Sequence, residues 1–113
     1  MSSNVVILFG GSSSERLVSV ASAQNVCTHL PDAAVWFIAK EGPVFVSSHE
    51  ALAAHQKPFV TEFVPKEAPR WPSLDAALDS PDATGRTFFL ALHGGDGENG
   101  VTQRKLELRD LPF

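Results

Sequence analysis

The chain has 113 residues and a net charge of −4, and 43% of its residues are hydrophobic and 19% charged. This composition predicts one folded, soluble domain over residues 1–113 rather than a disordered segment. The negative charge argues against nucleic acid or an anionic membrane as the main partner, and no apolar run approaches the roughly 18 residues of a membrane span. A single cysteine, Cys27, and a start without a positively charged signal region predict a cytoplasmic location.

Apolar runs alternate with helical patterns along the chain. Residues 5–9 form a continuous apolar run, which predicts a strand buried on both faces. Serines 12–14 then offer caps for a helix over 14–30, and Pro31 stops it. The later predicted elements are a strand over 33–39, a hairpin strand over 44–46, a short helix over 50–55, a weaker strand over 59–64, a helical turn over 73–78, a strand over 87–92 and a helix over 101–109. This order predicts an α/β fold, a Rossmann-like and mostly parallel sheet flanked by helices, with one hairpin excursion.

Two predicted strands end in glycine-rich, polar segments, and parallel sheets bind ligands outside the carboxyl ends of their strands. In the first segment, Gly10-Gly11 turns the chain into a helix start, but the spacing of a Walker A loop, a dinucleotide fingerprint or a nucleophile elbow is absent. Glu15 at this helix start should stay ionised and can bind an ammonium group, or it can simply cap the helix. Ser19, taken alone, is more typical of a solvated helix position.

The second segment, residues 93–100, holds four glycines in eight residues. Such a density indicates close approach of the backbone to another group, although a plain strand-to-helix turn is the alternative. His93 directly follows the last predicted strand, where a ligand would bind, and Asn99 is a candidate cap for the next helix. Asp96 and Glu98 raise the alternative of a metal site, but with one histidine and no nearby cysteine we predict no metal.

Together the two segments resemble the amino-terminal domain of D-alanine–D-alanine ligases, which are ATP-grasp enzymes, and the fold implied is the pre-ATP-grasp domain of that family. The resemblance extends over nearly the whole chain, and its histidine-glycine motif is the most specific part. The matching residues are 8–16 with Val18 and Ser19, then 91–94, 97–100, Gln103, Leu106-Glu107 and 111–113, with a looser match over 36–52.

The resemblance implies a reaction in which ATP phosphorylates the carboxylate of one D-alanine and the amine of a second attacks that acyl phosphate. The dipeptide product serves peptidoglycan synthesis. The resemblance further implies that Glu15 holds the ammonium group of the first D-alanine, that His93 and Gly94 lie against the same substrate, and that Ser19 lies beside the site. Glu15 and His93 are thus the candidate catalytic residues.

The resemblance also implies what the chain lacks. ATP and Mg²⁺ bind in the family between central and carboxy-terminal domains, which would lie beyond residue 113, so we expect no cofactor in this chain and no activity from it alone. The expected partners are D-alanine, the protein's own ATP-grasp domains and a second copy, with Leu17 and Arg104 on the candidate dimer face. The chain departs from the family pattern at Leu17, Thr102, Arg104 and Arg109-Asp110.

Three alternative functions stay open on the sequence. The first is a related ligase whose acceptor is D-lactate or D-serine, because the acceptor determinants would lie beyond residue 113. The second is a stand-alone binding domain without catalysis. The third is a serine hydrolase using serines 12–14 with His93, which lacks the elbow glycine and a fitting triad order.

The remaining notable side chains are predicted to be structural. Cys27 falls on the apolar stripe of the first helix and Trp36 in a strand, so both are predicted to be core residues. Trp71, in a proline-rich loop, is predicted to be a packing residue, with a contact to an absent domain as the alternative. The predicted exposed histidines, which lack partners at ligand spacing, are His29, His49 and His55.

Overall fold

A computed structural model describes residues 4–94 and 100–113 of the chain. Its strands are β1 (Val5–Gly10), β2 (Ala34–Ile38), β3 (Val44–Ser47) and β4 (Thr87–Leu90). Its helices are α1 (Arg16–His29), α2 (His49–Ala54), α3 (Leu74–Asp79) and α4 (Val101–Glu107), with a 3-10 turn at Pro81–Ala83.

The four strands form one sheet in the order β3-β2-β1-β4. Central β1 pairs in parallel with both neighbours, and Leu8 lies opposite Trp36 on one side and Leu90 on the other. β3 returns antiparallel to β2, which is the predicted hairpin excursion. The α/β prediction of a mostly parallel sheet flanked by helices is therefore confirmed.

Residues of β1 are buried on both faces because helices cover each side of the sheet. Ile7 and Phe9 join a core with Val20 and Ala23 of α1. Val6 and Leu8 face a second core, which contains side chains of α3 and α4. Each fully buried side chain of this size stabilises the fold by roughly 1.5–3 kcal/mol, so this uninterrupted apolar run fixes β1 at the centre.

The start of α1 differs from the sequence prediction by two residues. The helix begins at Arg16, and Glu15 occupies the cap position without a side-chain cap hydrogen bond. A serine hydroxyl instead binds the backbone just before the helix, where Ser13 Oγ accepts a hydrogen bond from the Glu15 amide at 3.0 Å. Glu15 thus lies one residue before the first helical turn.

The predicted strand over residues 59–64 is wrong. The Lys57 carbonyl accepts hydrogen bonds from the amides of Val60 and Thr61, which makes a turn instead. Only Phe63 of this segment is buried, with its ring 5.7 Å from Phe9 and 5.1 Å from Phe37. The segment lacks the alternation of apolar and polar residues that fits one buried face of a sheet. Only the ring of Phe63 packs into the core.

Two of the three histidines are less exposed than predicted. His49 Nε2 lies 2.6 Å from the Ala33 carbonyl oxygen, and His55 Nε2 lies 3.0 Å from that of Thr61. Both rings are half-buried because they satisfy backbone groups at turns, whereas His29 is exposed as predicted.

The predicted core residues are confirmed. Cys27 and Trp36 are buried, and burial raises the pKa of the Cys27 thiol. Trp71 packs against Trp36 with ring centroids 4.6 Å apart, and its backbone pairs with Val44. The proline-rich loop is therefore held on the sheet by its tryptophan, as the packing interpretation predicted.

Candidate functional site

The sheet order places the candidate site at the carboxyl end of β1. The parallel strands β1 and β4 are neighbours in the sheet. The helix α1, which follows β1, packs on one face of the sheet, and α4, which follows β4, packs on the other. Such a change of face opens a crevice at the strand ends. Gly10 ends β1 with φ 98°, and a Cβ there would collide with the Ile38 carbonyl oxygen and lie 2.8 Å from the Phe37 ring. A glycine is required for the chain to turn so closely beside β2.

Ser19 is completely buried, so the prediction of a solvated helix position is wrong. Its hydroxyl accepts a hydrogen bond from the Gly10 amide at 2.8 Å and donates one to the Ala91 carbonyl at 2.5 Å. These backbone groups lie where β1 and β4 end, beyond the regular strand pairing between them. Ser19 therefore joins α1 to both polar segments, and its hydroxyl is already engaged.

Gly94 brings the two polar segments into contact. Its φ is 68°, and a Cβ at this position would collide with Ser13 Oγ and lie 2.8 Å from Glu15 Oε2. The exposed Glu15 carboxylate therefore packs against the backbone that follows β4. The close approach anticipated from the glycine density is present at Gly94, and the groups approached are the side chains of Ser13 and Glu15.

His93 is half-buried, and its Nε2 lies 2.7 Å from Ser22 Oγ on α1. Ser22 was not among the predicted site residues. The available signal was spacing, because Glu15, Ser19 and Ser22 recur at i, i+4 and i+7 on one face of a helix. The serine in contact with Nε2 of His93 is Ser22, which is not one of the serines 12–14 that the hydrolase alternative requires.

A cleft of about 220 Å³ opens beside these residues on the α3 and α4 side of the sheet. His93 and Gly94 line it, whereas Glu15 and Ser19 do not. Thr102, one of the departures from the family pattern, is only 3% exposed and also lines it. The other lining residues are 10–13, 38–40, Gly42, 73–75, Leu92 and Lys105. The structure thus brings His93 and Gly94 to the cleft. Glu15 does not line the cleft but lies against Gly94, which does.

Several charged side chains near the site form ion pairs. Arg16 Nε donates to Glu62 Oε1 at 2.7 Å, which joins the start of α1 to the loop after α2. At the cleft, Lys105 Nζ lies 2.8 Å from Asp75 Oδ2, and Arg109 Nη2 lies 3.0 Å from Asp75 Oδ1. The hydrogen bond from Lys105, with the charge of Arg109, holds the pKa of Asp75 below its usual value.

Part of the second segment lies outside the described residues. Asp96, Glu98 and Asn99 belong to that part, so the predicted cap and the alternative metal site involve positions that the structure does not describe. Gly100 precedes α4 with φ 91°. Within residues 4–94 and 100–113, no three His, Cys, Asp or Glu side chains converge. No helix in those ranges is long and apolar enough to cross a membrane.

Known proteins identify the family of this chain. The family model described as D-ala D-ala ligase N-terminus matches residues 4–113. A D-alanine–D-alanine ligase of Pseudoalteromonas translucida is 33% identical over 96% of this chain and 26% of its own length. The solved structure of the D-alanine–D-alanine ligase from Coxiella burnetii superposes with a TM-score of 0.67 at 28% identity, covering 98% of this chain and 34% of that one.

A D-Ala:D-Ser ligase from Enterococcus faecalis shares the fold, with a TM-score of 0.61 and 22% identity over 99% of this chain and 35% of that one. The chain therefore spans about a quarter to a third of the length of these relatives. Because the family model extends over nearly the whole sequence, the chain belongs to the family of amino-terminal domains of D-alanine–D-alanine ligases.

Proposed function

We propose that this domain binds the first D-alanine of a D-alanine–D-alanine ligase, with Glu15 holding its ammonium group and His93 lying against the same molecule. The observation that carries the proposal is the contact between the two polar segments, where Gly94 places the Glu15 carboxylate beside the residues that follow β4. A carboxylate next to a cleft at the carboxyl end of a parallel sheet suits a small zwitterion.

The chemistry assigned to this chain is binding and orientation. An ammonium group donates charge-assisted hydrogen bonds to a carboxylate, which fixes the amino end of the substrate. Ser19 supports the site by joining α1 to the ends of β1 and β4, and Gly94 forms part of its wall. The substrate carboxylate is then left to face the region where the activating machinery would meet this domain.

We further propose that ATP and Mg²⁺ bind to domains beyond residue 113. The support for this proposal is length, because the chain covers only about a quarter to a third of the ligases that it matches. ATP supplies the phosphoryl group that activates a carboxylate, and no step through it is assigned to this chain. The homodimer and the identity of the acceptor remain predictions, and the likeness to the D-Ala:D-Ser ligase is one of fold.

Replacing Glu15 with glutamine in the full-length ligase tests the proposal. The change removes a charge-assisted pair worth about 1.5–3 kcal/mol, so the KM for the first D-alanine should rise by about 10- to 150-fold. Steady-state kinetics across D-alanine concentrations, with the two sites fitted separately, measure this. Glu67→Gln, in the exposed loop before Trp71, is the control. Unchanged affinity at the first site would contradict the proposal.

A further inference from the structure

Ser22 makes a polar contact that the proposed function does not use. Its hydroxyl oxygen lies 2.7 Å from Nε2 of His93, although 71 positions separate the two residues in the sequence. Both side chains are half-buried, so this hydrogen bond is partly shielded from water.

The contact follows from how α1 is attached to the sheet. Ser19, three residues before Ser22, is hydrogen-bonded to the Ala91 carbonyl, two residues before His93. Ser19 also accepts from the Gly10 amide, so this part of α1 is held against the ends of β1 and β4. With the helix held there, the next turn presents the Ser22 hydroxyl to the imidazole ring. The two serines thus contact alternate residues of the segment that leads into the glycine loop.

A hydroxyl in this position constrains a histidine in two ways. It restricts rotation of the ring, because the hydrogen bond is directional. It also influences which nitrogen carries the proton of the neutral ring, since the partner of one nitrogen biases the tautomer. A ring that contacts a small substrate depends on both properties.

We infer that Ser22 is a positioning residue for His93, holding the orientation and tautomer in which the imidazole meets the first D-alanine. The inference rests on the proposed function for its substrate, but the contact between Ser22 and His93 can be tested without it. Ser22 itself is not assigned a contact with substrate.

The first test measures the ring itself. In the 113-residue chain with ¹⁵N-labelled histidine, we expect the two ring nitrogens of His93 to show the distinct shifts of one preferred tautomer. Ser22→Ala should bring the two shifts closer together, and Ser22→Thr, which keeps the hydroxyl, should restore the difference. Thr28→Ala removes an exposed hydroxyl near the other end of α1 and should leave the ring unchanged. Shifts that do not respond to Ser22→Ala, or respond equally to Thr28→Ala, would overturn the inference.

The second test uses the full-length ligase. Loss of one positioning hydrogen bond should raise the KM for the first D-alanine by about 2- to 10-fold, with a smaller change in kcat and with recovery in Ser22→Thr. An altered ring with an unaltered KM would overturn the role toward substrate. If Glu15→Gln leaves first-site affinity unchanged while Ser22→Ala still alters the ring, the proposed function fails and the positioning of His93 stands.

Discussion

At the scale of single residues, Gly94 determines how closely the two polar segments approach. The position requires both a left-handed backbone and the absence of a side chain, since a Cβ would meet Ser13 and Glu15. Gly85 offers a useful contrast, because its φ is 76° but nothing lies within 4 Å of where its Cβ would be. The two glycines therefore separate backbone strain from side-chain collision.

Gly94→Ala should weaken D-alanine binding at the first site in the full-length ligase. The new methyl group must displace the Ser13 hydroxyl and the Glu15 carboxylate. The strain of about 1–2 kcal/mol from a left-handed alanine is common to Gly94→Ala and Gly85→Ala. Substrate titration and urea unfolding of both variants measure the two effects separately. The interpretation fails if the two variants bind D-alanine equally well.

Ser19 is buried, although the sequence predicted a solvated position. Ser19→Ala leaves the Gly10 amide and the Ala91 carbonyl without this partner in the interior, which should lower the free energy of unfolding by about 1–3 kcal/mol. Urea denaturation followed by tryptophan fluorescence measures the loss. Ser14→Ala, at an exposed position before α1, should change stability little. Equal stability of wild type and Ser19→Ala would show that the two hydrogen bonds contribute nothing.

At the scale of elements, ion pairs join α3 to α4. Arg109 contacts Asp75 and Asp79, and Lys105 contacts Asp75 as well. The charged Arg109, a departure from the family pattern, thus has a structural reason, since it holds the turn after α4 against α3. Its hydrogen bond with Asp79 in turn raises the pKa of Arg109.

The lowered pKa of Asp75 predicts a weak acid dependence of stability. A carboxyl group whose pKa is lowered by folding stabilises the fold above its unfolded value, near 3.9, and loses this contribution as pH falls through the folded value. Because the side chain is half-exposed, we expect Asp75 to contribute less than about 1 kcal/mol to the free energy of unfolding. The stability difference between wild type and Asp75→Asn should therefore shrink below about pH 4.

Urea unfolding at several pH values, compared with Asp32→Asn in the exposed turn before β2, tests this dependence. A difference between wild type and Asp75→Asn that grows on acidification would have the wrong sign.

At the scale of the whole molecule, the chain spans only a fraction of its relatives' length. We predict that the purified 113-residue chain is inactive, because the ATP-binding domains are proposed to lie beyond it. Phosphate release from ATP in the presence of D-alanine measures activity, with a full-length ligase as the positive control. Phosphate release from ATP by the chain alone, abolished by Glu15→Gln, would refute the prediction that the chain is inactive without the further domains.

The strands β1 and β4, the fold class and the family were predictable from the sequence alone. Long apolar runs specify buried strands locally, and the histidine-glycine motif is formed by adjacent residues, so both are visible without the fold. Only the tertiary structure decided that residues 59–64 form no strand, that Ser19 is buried, and that Ser22 meets His93. The turn at residues 59–64 depends on the packing of Phe63 against the core. The contacts of Ser19 and Ser22 join residues about 70 positions apart, and a hydroxyl has the same local pattern whether its partner is water or a distant group.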